Sequence, residues 1–245
     1  MNEAQGSDTK VSETEFSETQ VSETKFDEYA ARYDALWADS IRASGEPTEY
    51  FLQYKLERLR GLGLPKGLPL LDFGCGVGNL TQCLSEYFED VEGYDPSVES
   101  IRVARGRVPG SRFHTAPASV PDGHFGAAVL SGVLHHVAPR ERASLLGLVR
   151  QKLAPGGTLI IFEHNPFNPL TRRAVEACPF DDDAELVWPG TLRRLVRGAG
   201  FLNVRLDYIV FFPRLLRALR PLEPYLGRVF LGAQTMTLGT SPERA

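Results

Sequence analysis

Residues 70–79 read Leu-Leu-Asp-Phe-Gly-Cys-Gly-Val-Gly-Asn, and this stretch decides the fold. It begins in a short apolar run that predicts a buried strand, and it opens a segment that predicts a helix. Gly74 and Gly76 can adopt backbone angles closed to other residues, so a ligand can lie directly against the main chain. Gly78 lets the helix pack close to the strand. A glycine-rich turn in this position is typical of nucleotide binding in Rossmann-like sheets.

The chain outside this turn alternates between strand and helix patterns. Apolar runs typical of buried strands are separated by helical spacing and by glycine or proline breaks. This alternation predicts an α/β domain with a mostly parallel sheet and helices on both faces. The predicted strands are 68–72, 91–94, 112–115, 125–131, 158–162, 204–212 and 235–238, and the predicted helices are 26–43, 49–62, 79–88, 96–105, 140–153 and 191–199.

The spacing of the glycines distinguishes between ligands. A dinucleotide-binding turn reads GxGxxG and leaves room for pyrophosphate, whereas the turn here reads GxGxG and follows Asp72. Asp95 lies 21 residues after Gly74. An acid about 20 residues beyond the turn accepts hydrogen bonds from ribose hydroxyls, although Asp95 could instead cap the helix that opens at Pro96. The pattern favours a zwitterionic adenosyl ligand without pyrophosphate.

Four segments resemble, in order and spacing, the signatures of class I S-adenosylmethionine (SAM)-dependent methyltransferases. They are residues 72–78, Asp95, Ser-Gly-Val-Leu-His-His at 131–136 and Leu-Ala-Pro-Gly-Gly at 153–157. The resemblance covers about residues 68–165. It implies a seven-stranded sheet of order 3-2-1-4-5-7-6 with strand 7 antiparallel. It also implies SAM as cofactor and S-adenosylhomocysteine (SAH) as product.

The resemblance assigns cofactor contacts to the turns that follow the strands. The methionine and adenosine part is expected on Asp72, Gly74, Cys75 and Gly76, the ribose on Asp95, the adenine beside Pro96 and Ser97, and the sulfonium near Ser131 and Val133. Two positions depart from the family pattern. The acid that reads the adenine amine after strand 3 is missing, so Ser119 or the backbone is expected there. Strand 4 begins Phe-Gly at 125–126 rather than Phe-Asp.

Histidines beyond the fourth and fifth strands are the candidate catalytic residues. Because the sulfonium is already a good leaving group, the enzyme mainly aligns the nucleophile, excludes water and in some cases removes a proton. His164, His135 and His136 have side chains suited to proton removal near neutral pH. Packing remains the alternative for the pair, and a loop hydrogen bond for His164. No metal-ligand spacing joins them with Glu163, so no metal site is expected.

Two segments are expected to contact the acceptor. The first is the proline-rich and aromatic loop 165–189, with Asn165, Phe167 and Arg172 as candidates; a solvated helix start is the alternative for the arginine. Acids 181–183 in this loop are expected to cap a helix that begins at residue 184, with binding of a cation as the alternative. The second is the helical segment 26–62, whose aromatic stripe includes Tyr29 and Tyr33. This segment is either a lid over the ligand or a simple cover for the sheet.

Composition limits the partners and the location. The 245-residue chain has a net charge of −4, so no basic surplus points to nucleic acid. Residues 1–25 hold six acids and two lysines in a repetitive pattern, which predicts a disordered acidic tail before a methyltransferase domain at 26–245. Three cysteines without paired spacing, together with no secretory pattern, favour the cytoplasm. The apolar and basic segment 211–230 is interpreted as a helix between strands 6 and 7, with contact to a membrane surface as the alternative.

These observations predict methyl transfer from SAM to a small-molecule acceptor, such as a secondary metabolite, a sugar or a lipid-like compound. Two alternatives stay open. One is a SAM-binding cyclase or isomerase that does not transfer the methyl group. The other is a SAM-binding module without catalysis.

Overall fold

A computed structural model describes residues 25–243, which form a seven-stranded sheet of order β3-β2-β1-β4-β5-β7-β6. The strands are β1 (Leu70–Phe73), β2 (Val91–Tyr94), β3 (Arg112–His114), β4 (Phe125–Ser131), β5 (Leu153–His164), β6 (Leu202–Ile209) and β7 (Gln234–Thr240). Strands β1 to β5 pair in parallel, and β7 pairs antiparallel with both β5 and β6. The predicted fold class and strand order are confirmed. The predicted tail before Lys25 lies outside the described residues.

Helices cover both faces of the sheet. They are α1 (Lys25–Tyr29), α2 (Tyr33–Ser40), α3 (Thr48–Arg60), α4 (Asn79–Ser85), α5 (Val98–Arg107), α6 (Arg142–Lys152), α7 (Pro169–Glu176) and α8 (Pro189–Gly198). Central strand β4 sends Val129 into a core shared with α3 and α4, and Leu130 into a core shared with α6 and α8. A strand buried on both faces needs apolar residues at consecutive positions, which explains the run at 125–131.

Several elements differ from their predicted bounds. The helix predicted over 26–43 is divided into α1, a 3-10 turn at Ala30–Arg32, α2 and a second 3-10 turn at Arg42–Ser44. The loop predicted over 165–189 contains α7, because the Asn168 carboxamide oxygen accepts hydrogen bonds from the first turn of that helix. No helix forms at residue 184, so the capping role expected for acids 181–183 is wrong.

The segment between β6 and β7 is a 3-10 helix, Arg214–Tyr225, with prolines at 221 and 224. Its outer face is apolar, and Leu215 is 92% exposed. Among residues 25–243, no helix combines the length and the hydropathy needed to cross a membrane.

Candidate active site

The glycine turn joins the ends of β1 and β2. The backbone N–H groups of Gly74 and Cys75 both donate to the Tyr94 carbonyl, at 2.7 and 2.9 Å. Gly74 has φ +81°, and a Cβ there would lie 2.5 Å from Val133 Cγ2, so only glycine allows the loop after β4 to approach. A Cβ on Gly78 would lie 3.0 Å from Ala104 Cβ, which shows that this glycine also permits close packing against α5.

The side chain of Asp95, which follows β2, holds this turn through hydrogen bonds. Its Oδ2 accepts from the Gly76 N–H and its Oδ1 from the Ser97 N–H, each at 2.9 Å. Burial raises the pKa of Asp95 to about 6, against the lowering effect of these two hydrogen bonds. The cap of α5 is Ser97, whose hydroxyl accepts from the Ser100 N–H, and the helix begins after Pro96. The capping role considered for Asp95 therefore falls to Ser97.

A buried lysine and a buried aspartate face each other near the turn. Lys55 on α3 donates from Nζ to Ser131 Oγ at 2.8 Å, and burial lowers its pKa to about 8. Asp72 on β1 accepts from Thr81 Oγ1 at 2.7 Å, and burial raises its pKa to about 7. The other oxygen of Asp72, Oδ1, is buried and has no hydrogen-bond partner among the described residues. The cavity is therefore lined by one buried amine and one buried carboxyl group, which suit the two charges of a zwitterionic ligand.

A cavity of about 1270 Å³ opens between the strand ends and the segment 25–62. Small-molecule pockets occupy roughly 300–1,000 Å³, so this cavity has room for a cofactor and a second molecule. Most of the predicted site residues line it. They are Asp72, Gly74, Cys75, Gly76, Asp95, Pro96, Ser131, Val133, His135, His136, His164 and Tyr33.

Three of the predicted acceptor contacts, all in the loop after β5, lie outside this cavity. The Asn165 carboxamide is buried and donates to the carbonyls of Phe230 and Gly232, at 2.8 and 2.6 Å, so it holds two loops together. Phe167 packs against Trp188 and Phe230 on the surface. Arg172 is exposed on α7.

Three further predicted contacts also lie outside the cavity. Tyr29 packs edge-on against Phe180. The hydroxyl of Ser119 is exposed and donates to the Ala116 carbonyl at 2.7 Å. Ser97 is buried and caps α5.

Glu163 on β5 organises the loop after β4. Its Oε1 accepts from the N–H groups of Val133 and Leu134, at 3.1 and 2.7 Å, and its Oε2 lies 2.7 Å from His135 Nδ1. Burial opposes a charge on His135, but the carboxylates of Glu163 and Asp181 raise its pKa to about 9. This carboxylate therefore fixes both the loop backbone and the orientation of the ring.

The other two histidines differ in charge from His135. His164 lies with its ring centroid 5.0 Å from that of His135. Burial and the neighbouring imidazolium lower the pKa of His164 to about 4, so its ring is neutral at pH 7. Burial also lowers the pKa of His136. Of the three candidate bases, His164 and His136 are therefore neutral at pH 7, so each ring has a nitrogen that can accept a hydrogen bond.

Two site residues were missed in the sequence. Lys55 lies on the apolar face of α3 together with Phe51 and Leu59, and a lysine at that spacing was the available signal. Asp181 places its Oδ1 3.2 Å from His136 Nε2. No sequence signal connects it to the histidines, because 45 residues separate it from His136.

Aromatic side chains of the first helices cover the histidines. Phe26 meets the ring of His136 edge-on, with centroids 5.0 Å apart. Tyr33 stacks on Phe180 at 4.8 Å, and Lys25 pairs with Asp182 at 2.9 Å. The segment 25–62 and the loop around residue 180 thus close the cavity together.

The turn, the buried carboxylate after β2 and the adjoining cavity define a Rossmann-like protein with an adenosyl site. Residues 45–206 match a family model described as a methyltransferase domain, and the chain belongs to this family of SAM-dependent methyltransferases. The resemblance to the class I enzymes is confirmed, and SAM is the cofactor of the family.

Individual relatives share at most about a third of their aligned residues with this chain in the examples that follow. A trans-aconitate 2-methyltransferase from Methylobacterium nodulans is 35% identical over 123 residues, which are 45% of each chain. The chain spans about half the length of the curated relatives it matches. A Thermotoga maritima structure described as a SAM-dependent methyltransferase, possible histamine N-methyltransferase, superposes with a TM-score of 0.64 at 21% identity, covering 88% of this chain and 98% of the other. Phosphoethanolamine N-methyltransferase 2 of Haemonchus contortus, in complex with SAM, gives 0.61 at 14% identity, covering 90% and 60%.

Proposed function

We propose that the chain transfers the methyl group of SAM to a small-molecule acceptor bound in the same cavity. The observation that carries this proposal is the size and lining of the cavity. Its 1270 Å³ is lined both by residues of the glycine turn with Asp95 and by His135, His136 and His164 with nearby aromatic side chains. We assign the part lined by the turn to the cofactor and the part lined by the histidines to the acceptor. A relative named for a small acid, trans-aconitate, supports the same class of acceptor.

The cofactor half suits each part of SAM. The ribose hydroxyls donate to Asp95. The adenosyl group lies against the backbone of Gly76, which carries no side chain. The ammonium of the methionine part pairs with Asp72 Oδ1, which is buried and lacks a partner among the described residues. The carboxylate pairs with the Lys55 ammonium, because a buried cation is stabilised by an opposite charge.

The acceptor half suits a partly apolar molecule that carries a hydroxyl or an amine. Phe26, Tyr33 and Trp37 form apolar walls. The neutral ring of His164 accepts a hydrogen bond from the attacking group and orients it toward the methyl group. A secondary metabolite, a sugar or a lipid-like compound fits this description. A cytoplasmic setting is supported by Cys75, Cys83 and Cys178, which are buried and free.

The test is formation of SAH from SAM carrying a labelled methyl group, with a panel of small acids, phenols, amines and sugars. We expect acceptor-dependent SAH formation and transfer of the label. His164→Ala should keep the SAM affinity and lower kcat by about 10²-fold or more, the usual effect of losing a proton-accepting group. His124→Ala, a histidine outside the cavity, serves as the matched control. SAM that binds tightly but is never consumed would instead indicate a binding module.

A further inference from the structure

Three potential ligand atoms converge beside the acceptor half of the cavity. Asp181 Oδ1 lies 3.2 Å from His136 Nε2 and 3.6 Å from His135 Nε2. A tetrahedral ion with bonds of about 2.0–2.1 Å holds its ligand atoms about 3.3–3.4 Å apart. The two measured separations lie on either side of that value. Two of the three separations therefore match the spacing around a bound ion, and all three ligand atoms lie within 4.8 Å of one another.

The oxygen at the centre of this group contacts two imidazole nitrogens without a well-directed hydrogen bond. Asp181 is only 8% exposed, and no described residue donates a hydrogen bond of ordinary geometry to its Oδ1. A buried carboxylate oxygen without a directed hydrogen bond is costly, and a bound cation removes that cost. The environment of this oxygen therefore points to a ligand independently of the spacing.

The surroundings of His135 match those of a metal-bound histidine. Its Nδ1 contacts Glu163 Oε2 at 2.7 Å, which leaves Nε2 directed at Asp181. Histidines that bind metals commonly give their second nitrogen to a carboxylate, which fixes the ring and strengthens the ligand. Because Glu163 also holds the loop backbone at Leu134, the ring has little freedom to turn.

We propose that His135, His136 and Asp181 form a binding site for a divalent transition-metal ion of the Zn²⁺ type. Two imidazole nitrogens and one carboxylate oxygen are the ligands that such ions prefer, and hard ions such as Mg²⁺ prefer oxygen alone. Both histidines line the cavity, so a fourth position is open to it. An oxygen atom of the acceptor takes this position, an assignment that rests on the proposed function, whereas the metal site itself does not.

Metal binding is measured on full-length protein freed of metal by a chelator. Calorimetric titration with ZnCl₂ and elemental analysis should give one ion per chain, and titration with MgCl₂ should give none of comparable affinity. Loading with Co²⁺ should produce the visible absorption of a four-coordinate site, and azide should change that absorption if a position is open.

Two variants test which residues bind the ion. A third variant, at the residue next to Asp181, controls for the loss of a negative charge. Asp181→Asn and His136→Ala should each weaken Zn²⁺ binding by about 100-fold, the effect expected when one of three protein ligands is lost. Asp182→Asn removes an exposed carboxylate one residue away and should leave Zn²⁺ affinity unchanged. Circular dichroism and SAM affinity verify that each variant is folded.

The outcomes separate this proposal from methyl transfer. Absence of stoichiometric Zn²⁺ binding, or equal affinity in Asp181→Asn and the unaltered chain, overturns the metal site and shows that the cluster is an internal ion pair. Zn²⁺ bound at these residues in a protein that never forms SAH supports the metal site and contradicts the proposed function. A Co²⁺ spectrum that azide does not alter overturns the open fourth position.

Discussion

At the scale of single residues, Asp95 links the backbone of the glycine turn to the proposed ribose contact. Its ionised carboxylate accepts from Gly76 and Ser97 and remains able to accept from ribose hydroxyls. Because burial raises the pKa of Asp95 to about 6, the carboxylate becomes protonated as the pH falls below that value. If Asp95 accepts from the ribose as proposed, protonation of this side chain weakens the binding of SAM.

We expect the SAM dissociation constant to rise by up to about tenfold per pH unit below pH 6, as each bound ligand must displace one proton. Asp95→Asn should weaken the binding of SAM by about 1–3 kcal/mol at pH 7.5. It should also remove the rise of the dissociation constant below pH 6. Calorimetry between pH 5 and 8 provides the measurement. An unchanged profile in Asp95→Asn would assign the titration to Asp72, whose pKa is about 7.

Residues differ in how far the sequence predicts their roles. Asp95 was predictable because its distance from the glycine turn is set by one strand–helix–strand unit. Lys55 was not, since its role depends on α3 packing across β4 to reach Ser131. Asp181 and His135 meet only in the tertiary structure. Asn165 was misplaced because a polar side chain at a strand end satisfies loop carbonyls as readily as it binds a substrate.

At the scale of elements, the first helices are held by specific contacts at the start of α5. Asp27 Oδ1 accepts from Ser97 Oγ at 2.7 Å and from the Glu99 N–H at 3.0 Å. The segment 25–44 otherwise consists of short helices joined by 3-10 turns. Short helices depend on tertiary contacts for their stability. These two bonds, together with the ion pairs Lys25–Asp182 and Asp34–Arg107, hold residues 25–44 as a cover over the cavity.

Asp27→Ala should open this cover without unfolding the domain. We expect faster amide hydrogen exchange in residues 25–44 and faster SAM dissociation, with a loss of only about 1 kcal/mol in global stability. Hydrogen-exchange mass spectrometry gives the first readout and stopped-flow fluorescence the second. Asp39→Ala, which removes an exposed ion pair with Arg42 in the same segment, is the control. Equal exchange in both variants would show that Asp27 does not fasten the cover.

Element bounds were least predictable where tertiary pairing overrides local pattern. Strand β5 begins at Leu153, before the Pro-Gly-Gly segment that suggested a break, because Leu153 pairs with Phe125 and the register then shifts. Helix α7 carries an ordinary start signal, an asparagine cap followed by a proline, and could have been predicted. The aromatic stripe in residues 26–43 predicted helix correctly but not its interruptions.

At the scale of the whole molecule, the strand order was predictable because the ordered motifs resemble those of a family with this topology; no single element of the chain predicts it. The proposed cofactor contacts lie at the ends of β1, β2 and β4 and would join several elements through one ligand. A ligand that binds only the folded state must stabilise the whole domain.

SAM or SAH at 100 times its dissociation constant should stabilise the fold by about 2.7 kcal/mol. For a chain of this size, that corresponds to a rise in Tm of roughly 5–11 °C. Thermal unfolding followed by fluorescence checks this, with NADH as the control because the turn lacks the pyrophosphate spacing. A similar rise with NADH would contradict the adenosyl assignment.

The placement of β7 has a consequence for biosynthesis. Gln234–Thr240 lies between β5 and β6 in the sheet, yet it follows both in the chain. While the polypeptide emerges from the ribosome, the outer edge of β5 therefore has no neighbour, and β6 has nothing to pair with until translation reaches residue 240. Unpaired strand edges promote aggregation, so the nascent chain is prone to aggregate until β7 has been synthesised and pairs with both β5 and β6.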